Sequence, residues 1–324
     1  ISSEGIFNLV YNNPSIISIC LNGCSGLDEQ ALYDIAHCIG ERLCCLELDN
    51  LHNSNIIERV QAIHSLSQKC PNIARLSLCQ FFPEEEATEQ QCLIEGSGLR
   101  DIDLYGMLRI ERRQHSIENA NTFLYKFLRI MGNKITRLHI AVQRLCDSVM
   151  LLIASQLPNL SHLALDVYYL NSNTLKRLFA GGLHSQGAKL RSLRLCRLKI
   201  TCRALFSIGR WARSLVDLET SHMSSSVDDR FLVLLAKNCK LLQTVNFNGC
   251  KWVTDKGLAG LARNKRLREV RIRGTSCTDK SLYSLAQFCP ALEWIAHADF
   301  SGRPKFSDQA LKCLRDACIQ RVIC

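Results

Sequence analysis

The stretch Leu241–Leu261, LLQTVNFNGCKWVTDKGLAGL, decides the fold. It reads in two halves. Val245, Asn246 and Phe247 alternate apolar and polar side chains, the period of a short half-buried strand. Leu258 and Leu261 then recur at helical spacing, and Thr254-Asp255 stands just before them, where a short polar side chain can cap free backbone N–H groups. An Asn-Gly-Cys turn, Asn248 to Cys250, joins the halves. One such unit has an apolar face that it cannot bury by itself.

The same spacing is present near the start of the chain, at Ile16, Ile19, Leu21, Cys24, Leu27, Leu32 and Ile35, and Asn22-Gly23-Cys24 repeats the turn. The first apolar position of the unit recurs at Ile16, Leu43, Ile73, Leu99, Ile135, Leu160, Leu190, Leu215, Leu242, Leu267 and Leu292, most steps being 25 to 30 residues. Periods of about 20–29 residues with a strand and a helix in each are the mark of a leucine-rich repeat. The expectation is an α/β fold: one leucine-rich-repeat solenoid over 1–324, with about eleven repeats whose stacking closes a continuous core. Parallel strands line its concave side and helices its convex side. Thr278-Asp279 and Ser307-Asp308 repeat the cap of Thr254-Asp255, and Pro71, Pro158 and Pro290 stop helices. The opening run Gly5, Ile6, Leu9, Val10, Asn13-Pro14 reads as the closing helix of a preceding unit.

Two units depart from this plan. The fourth is about ten residues too long, and its surplus, Leu108–Asn119, is expected to be an exposed loop dispensable for folding. In the third, Pro83 precedes Glu84, Glu85, Glu86 and Glu89, the pattern of an acidic helix N-terminus.

The 324 residues are 47% apolar and 22% charged, as in a folded soluble protein. No run approaches the ~18 apolar residues of a membrane span, and no signal peptide opens the chain. It begins at Ile1, so an upstream part is expected. Eighteen cysteines sit at recurring positions inside apolar stretches, where a reduced cysteine acts as a small buried hydrophobe. Free thiols and a cytoplasmic or nuclear location follow. No Cys-x-x-Cys, no His-Glu-x-x-His and no phosphate-binding glycine loop is present, and Gly181-Gly182 lies outside any such pattern. Neighbouring His37 and Cys38 would point about 100° apart on a helix, which excludes a nucleophile–base pair. The chain is therefore read as a binding protein, not an enzyme, with no metal and no cofactor.

Side chains that flank the inward apolar residues of each strand point away from the core. They include Glu47, Asp49, Asp101, Asp103, Tyr105, Arg137 and His139 in the early units. The late units contribute Ser192, Arg194, Asp217, Glu219, Thr244, Asn246, Asn248, Glu269, Arg271, Arg273 and Trp294. The early set is mainly acidic, while arginines and a tryptophan, the residues enriched at binding hot spots, mark the late one. Arg194, Glu219, Asn246, Arg271, Arg273 and Trp294 are the candidate partner-binding residues on the concave face. The alternative is a solvated sheet whose arginines pair with Asp217, Glu219 and Glu269. Arg271 and Arg273 are expected to point away from the core, so that reversing their charge leaves the fold intact. The expected partner is a protein segment with some acidic character.

The net charge of +10 is concentrated in residues 189–213 and 263–273. Both stretches are read as solvated faces. Aromatic residues, 7% of the chain, do not interleave with them as a nucleic-acid stacking platform requires, so nucleic acid is not the expected partner.

The strand positions, Cys24 and Cys250 after the strand, Thr-Asp at 254–255 and 278–279, and the helix-ending Cys38, Cys70, Cys239 and Cys289 together resemble the cysteine-containing leucine-rich repeats of F-box proteins. Cys70-Pro71 and Cys289-Pro290 match that family's closing Cys-Pro. The resemblance covers nearly the whole chain, is sharpest over 242–289 and is blurred in the third to fifth units. It implies a ribonuclease-inhibitor-like horseshoe that holds a substrate protein for a cullin-type (SCF) ubiquitin ligase. Skp and cullin components would be partners only through an F-box, which is not in this chain and would have to lie upstream of Ile1. The other readings are a leucine-rich-repeat scaffold or inhibitor unrelated to ubiquitin and, last, a nucleic-acid-binding solenoid.

Overall fold

A computed structural model describes residues 1–22, 24, 26–49, 75–79, 101–104, 135–296 and 298–318, with isolated residues between 58 and 72 and between 121 and 129. The chain forms two compact units, Ile1–Leu160 and Ser161–Cys324.

In the first unit, strands β1 (Ser18–Cys20), β2 (Cys45–Asp49), β3 (Arg75–Cys79), β4 (Asp101–Leu104) and β5 (Arg137–Arg144) pair in parallel, each with the next in sequence. The helix Ser3–Asn12 covers the start, with Ile6 and Val10 buried, where the sequence predicts a closing helix. The second unit holds β6 (His162–Tyr169), β7 (Ser192–Cys196), β8 (Asp217–Glu219), β9 (Thr244–Asn246), β10 (Glu269–Arg271) and β11 (Trp294–Ala296), again parallel and in sequence order. Between the strands run the helices Cys202–Trp211, Asp229–Asn238, Asp255–Ala262 and Asp279–Phe288, and Asp308–Ala317 follows β11. Each unit is an α/β solenoid, with strands on one side and helices on the other.

The repeat positions are the core. Leu43, Ile135, Leu160, Leu190, Leu215, Leu242, Leu267 and Leu292 are all at most 1% exposed. Ile16, at the end of the stack, is half-buried. Leu163, Leu193, Leu218, Val245, Val270 and Ile295 are matched across consecutive strands and buried. Each such side chain stabilises the fold by roughly 1.5–3 kcal/mol. The side chains of Ile73 and Leu99, the glutamates after Pro83 and the expected loop Leu108–Asn119 lie outside the described residues.

Polar groups lock one repeat to the next. Thr254 caps its own helix through Lys256 N–H, while its N–H and hydroxyl donate to Asp229 of the preceding helix at 2.9 and 2.6 Å. Asp255 in turn accepts from Thr278 N–H, Thr278 Oγ1 and Ser281 Oγ at 2.7, 2.6 and 2.5 Å. Asp279 accepts from Ser307 N–H and Oγ at 3.0 and 2.7 Å. The Thr/Ser-Asp pair is thus a clasp between neighbouring helices as well as a cap. Thr278 makes no side-chain cap to its own helix; its hydroxyl is committed to Asp255. Burial opposes the charge on Asp255, but these donors outweigh it and hold the carboxyl below its ordinary range.

Of the repeated cysteines, Cys70, Cys239, Cys250 and Cys289 fill core sites, whereas Cys24 and Cys38 are only half-buried and Cys20, Cys44 and Cys313 are exposed, against the expectation that the cysteines are buried throughout. Cys250 Sγ reaches Thr220 O at 3.0 Å and Cys289 Sγ reaches Ala262 O at 3.3 Å. Burial pushes the thiols of Cys239, Cys250 and Cys289 up to about 12.

Candidate protein-binding face of the second unit

Strand register decides which exposed side chains become neighbours. In the second unit one row across the sheet reads Ala164, Arg194, Glu219, Asn246, Arg271, Ala296. The row beside it reads His162, Ser192, Asp217, Thr244, Glu269, Trp294. Four of the six residues singled out from sequence therefore stand side by side on consecutive strands, about 4.8 Å apart. A fifth, Trp294, lies diagonally beside Arg271, whose guanidinium sits 4.9 Å from the indole centroid in a cation–π contact.

The face is already paired within itself. Arg194 Nε stands 3.5 Å from Glu219 Oε2, and Glu219 Oε1 also accepts from Ser221 Oγ and Cys196 Sγ, at 2.9 and 3.3 Å. Arg271 Nη2 meets Glu269 at 3.4 Å, while its Nε is buried beneath its neighbours without a partner. Asn246 is buried, and its side-chain oxygen accepts from Asn248 N–H at 3.0 Å, so it supports the row from beneath and does not present its amide on it. Both ion pairs are half-exposed and so contribute little to stability. Their effect is to fix guanidinium planes in position ahead of any partner. In the first unit Glu47 accepts from Cys20 Sγ and Asn22 Nδ2 at 3.6 and 3.4 Å. Tyr105 and the side chains of Asp49, Asp101 and Asp103 lie outside the described residues.

Arg273 is not the free surface arginine expected from its strand position. Its Nε donates to the carbonyls of Ala298 and Asp299, both at 3.3 Å, and Nη2 donates to Asp299 O at 2.7 Å. The guanidinium also lies over Phe300, at 5.7 Å. The arginine pins the loop that follows β11, so reversing its charge would strike the fold. Alternation along a strand tells which way a side chain starts out, but not that a long one bends over to hold the next repeat.

Sequence reasoning also missed an aromatic group at the strand ends. His222 stacks on Phe300 at 5.5 Å, and Phe300 is 54% exposed. Two glycines one repeat apart allow it. Gly249 and Gly274 have φ of +74° and +65°, and a Cβ on either would fall within 2.8 Å of His222 or 2.3 Å of Phe300. Their equivalent placement after consecutive strands was the available signal. Tyr168 and Tyr169, at the end of β6, are likewise exposed, with Lys199 Nζ 5.7 Å from the Tyr169 ring. Among the described residues no group of three histidines, cysteines or carboxylates could hold a metal, and no helix is long and apolar enough to cross a membrane.

Known structures share this architecture. The fold is a leucine-rich-repeat solenoid. A chain of the yeast Rad7–Elc1 complex superimposes with a TM-score of 0.57 at 16% identity, over 99% of this chain and 77% of that one. An internalin from Listeria monocytogenes gives 0.51 at 12% identity, over 98% and 93%. The leucine-rich-repeat protein LegL7 from Legionella pneumophila gives 0.51 at 16%, over 93% and 96%. No family model matches the sequence. At these identities the likeness is one of fold.

Proposed function

We propose that the strand face of the second unit binds an extended segment of a protein partner, and that the chain is the substrate-recognition part of an SCF-type ubiquitin ligase. The observation that carries the first half is the single row Arg194, Glu219, Asn246, Arg271 with Trp294 against its end. Pre-positioned arginines and an aromatic ring supply directional hydrogen bonds and apolar area on one surface, the combination found at interface hot spots. Carboxylates or phosphates on the partner suit the outward donors of Arg194 and Arg271, with the carboxyl group of Glu219 between them to set register. The second half rests on the Cys-Pro helix ends, the Thr-Asp pairs and the post-strand cysteines. These resemble the repeats of F-box proteins, whose F-box recruits the ligase.

The test expresses the chain within its full-length native protein and captures partners with and without proteasome inhibition. The substitutions Arg271→Ala with Trp294→Ala should weaken capture of a specific protein about tenfold, whereas Lys176→Glu with Arg177→Glu, on the helix Ser172–Arg177, should not. The ligase reading requires in addition that Skp and cullin components are captured and that the bound protein accumulates under inhibition. Capture without either would leave a leucine-rich-repeat scaffold unrelated to ubiquitin. Equal capture by the Arg271/Trp294 variant would overturn the strand-face assignment itself.

A further inference from the structure

The solenoid gathers parts of the two basic stretches, together with the lysines of 237–243, onto one edge of the second unit. This is the edge where each helix ends and the next strand begins. Segments 189–191, 210–216, 237–243 and 263–268 all lie there and together contain ten lysines and arginines; the carboxylates that border them are Asp217 and Glu269, at the first strand positions, and Glu293, one repeat further on. Backbone hydrogen bonds stack them in register: Val216 N–H donates to Arg191 O, Gln243 N–H to Val216 O and Arg268 N–H to Gln243 O, at 2.7, 2.8 and 2.8 Å. All ten cationic residues are exposed. Among them Arg268 alone is paired with a carboxylate, Glu293, at 2.8 Å.

Helix dipoles account for only part of this charge. Cations in a last helical turn are favoured by the partial negative charge there, which covers Lys189, Arg210, Lys237 and, at the cap, Arg263. Arg191, Arg213, Lys240, Lys265, Arg266 and Arg268 come after the helices, on the way into the strands. Of these, Lys240 reaches back to Ala236 O at 2.5 Å. Nor does the repeat plan demand them. The equivalent segments of the first unit carry Glu41 beside Arg42 at 39–44 and no charged residue at 157–161.

We infer that this edge binds the phosphate backbone of double-stranded nucleic acid, without regard to sequence, on a surface separate from the strand face. From Arg191 to Arg268 the edge crosses four strands, roughly 14 Å, and a duplex carries about eight phosphates over that length of its axis. An edge with this many cations and so little apolar surface offers a peptide few anchors, and Leu241 is its exposed large apolar side chain. Dense, uniform negative charge is what it complements. The rings of this edge are Trp211, half-buried, and Phe288, which lies under Arg263 at 5.9 Å. Neither forms a platform on which single-stranded bases could stack. A duplex, whose bases stay inside, fits better. Six of the ten cations are arginines, whose planar fork suits phosphate.

The experiment titrates the full chain with a fluorescent 16-base-pair mixed-sequence DNA duplex at several salt concentrations. In parallel it uses the same single strand, a poly-glutamate peptide and vesicles of anionic lipid. The duplex should bind with roughly micromolar affinity at low salt, with log K falling linearly as log salt rises. Arg191→Glu with Arg213→Glu and Arg266→Glu should weaken binding at least tenfold and flatten the salt slope by about two to three units. Lys256→Glu with Lys280→Glu and Lys312→Glu changes the net charge equally but sits in the first turns of helices or on the last helix, and should change affinity less than threefold. No duplex binding at low salt, equal loss in the two triple variants, or tighter binding of poly-glutamate, single strand or vesicles would each overturn the inference. A strand-face variant, Arg271→Ala with Trp294→Ala, should bind the duplex as the parent does, so failure of one surface is separable from failure of the other.

Discussion

The strand face and the basic edge of the second unit are built from the same arginine-rich repeats, yet they treat charge in opposite ways. On the strand face Arg194 has Glu219 and Arg271 has Glu269, each within 3.5 Å. On the edge ten cations share one bridge to Glu293. A face whose charges are internally matched has little long-range field. It recognises by shape and by the direction of its donors. An edge on which cations far outnumber carboxylates projects a potential over several ångströms, attracts polyanions and is blunted by salt. The difference comes from position in the repeat. Both sets of residues are stacked at the strand spacing of about 4.8 Å, but the strands set arginines beside carboxylates, whereas the segments leading into them set cations beside cations.

Both surfaces depend on the register beneath them, so breaking it gives the largest effect. Leu193→Asp buries a carboxylate where Leu193 is 1% exposed, and chemical denaturation should show a loss of about 3 kcal/mol or more. A melt close to the parent's would refute the register.

The comparison sharpens when two arginines are reversed one at a time. Arg273→Glu removes three hydrogen bonds to the carbonyls of Ala298 and Asp299 and should cost about 2 kcal/mol. Arg266→Glu, on the edge, should stay within about 0.5 kcal/mol. Equal stabilities of the two variants would contradict the distinction between a pinned and a free arginine.

The clasps between repeats give a smaller, pH-dependent effect. Asp255 has a folded-state pKa below its ordinary value. Its contribution is therefore present above the unfolded carboxyl pKa and is lost as pH falls through the lower folded value. Asp255→Asn should lower the melting temperature at pH 7, by the equivalent of about 1 kcal/mol. The gap to the parent should close progressively below about pH 4. A gap that is unchanged in acid would mean that the carboxylate charge plays no part.

The architecture was legible because it is periodic. Leu242, Val245, Leu258 and their counterparts are dictated by burial, and burial repeats with the fold. The row of Arg194, Glu219, Asn246 and Arg271 was legible for the same reason, since alternation fixes which side of a strand faces out. Three features were not. Arg273 turns towards the next repeat's loop, a choice made by that loop's carbonyls and by Phe300. Thr278 gives its hydroxyl to Asp255 rather than to its own helix, because the donor and acceptor are 23 residues apart in sequence and adjacent only once the helices stack. The basic stretches read separately as solvated faces, and only the 25- to 27-residue pitch places Arg191, Arg213, Lys240 and Arg266 on one edge.

The central claim is that the outward row of the second unit's strands is where a protein partner lies. Photo-crosslinking tests it most directly. A photoreactive phenylalanine analogue is placed at Thr244, in the strand-face row next to Asn246, or at Lys280, on the helix Asp279–Phe288, and irradiated in cells expressing the chain. Thr244 should give a discrete adduct with one protein, lost when Arg271→Ala and Trp294→Ala are added, while Lys280 gives none. The same adduct from Lys280, or an adduct from Thr244 that survives those substitutions, would contradict the account.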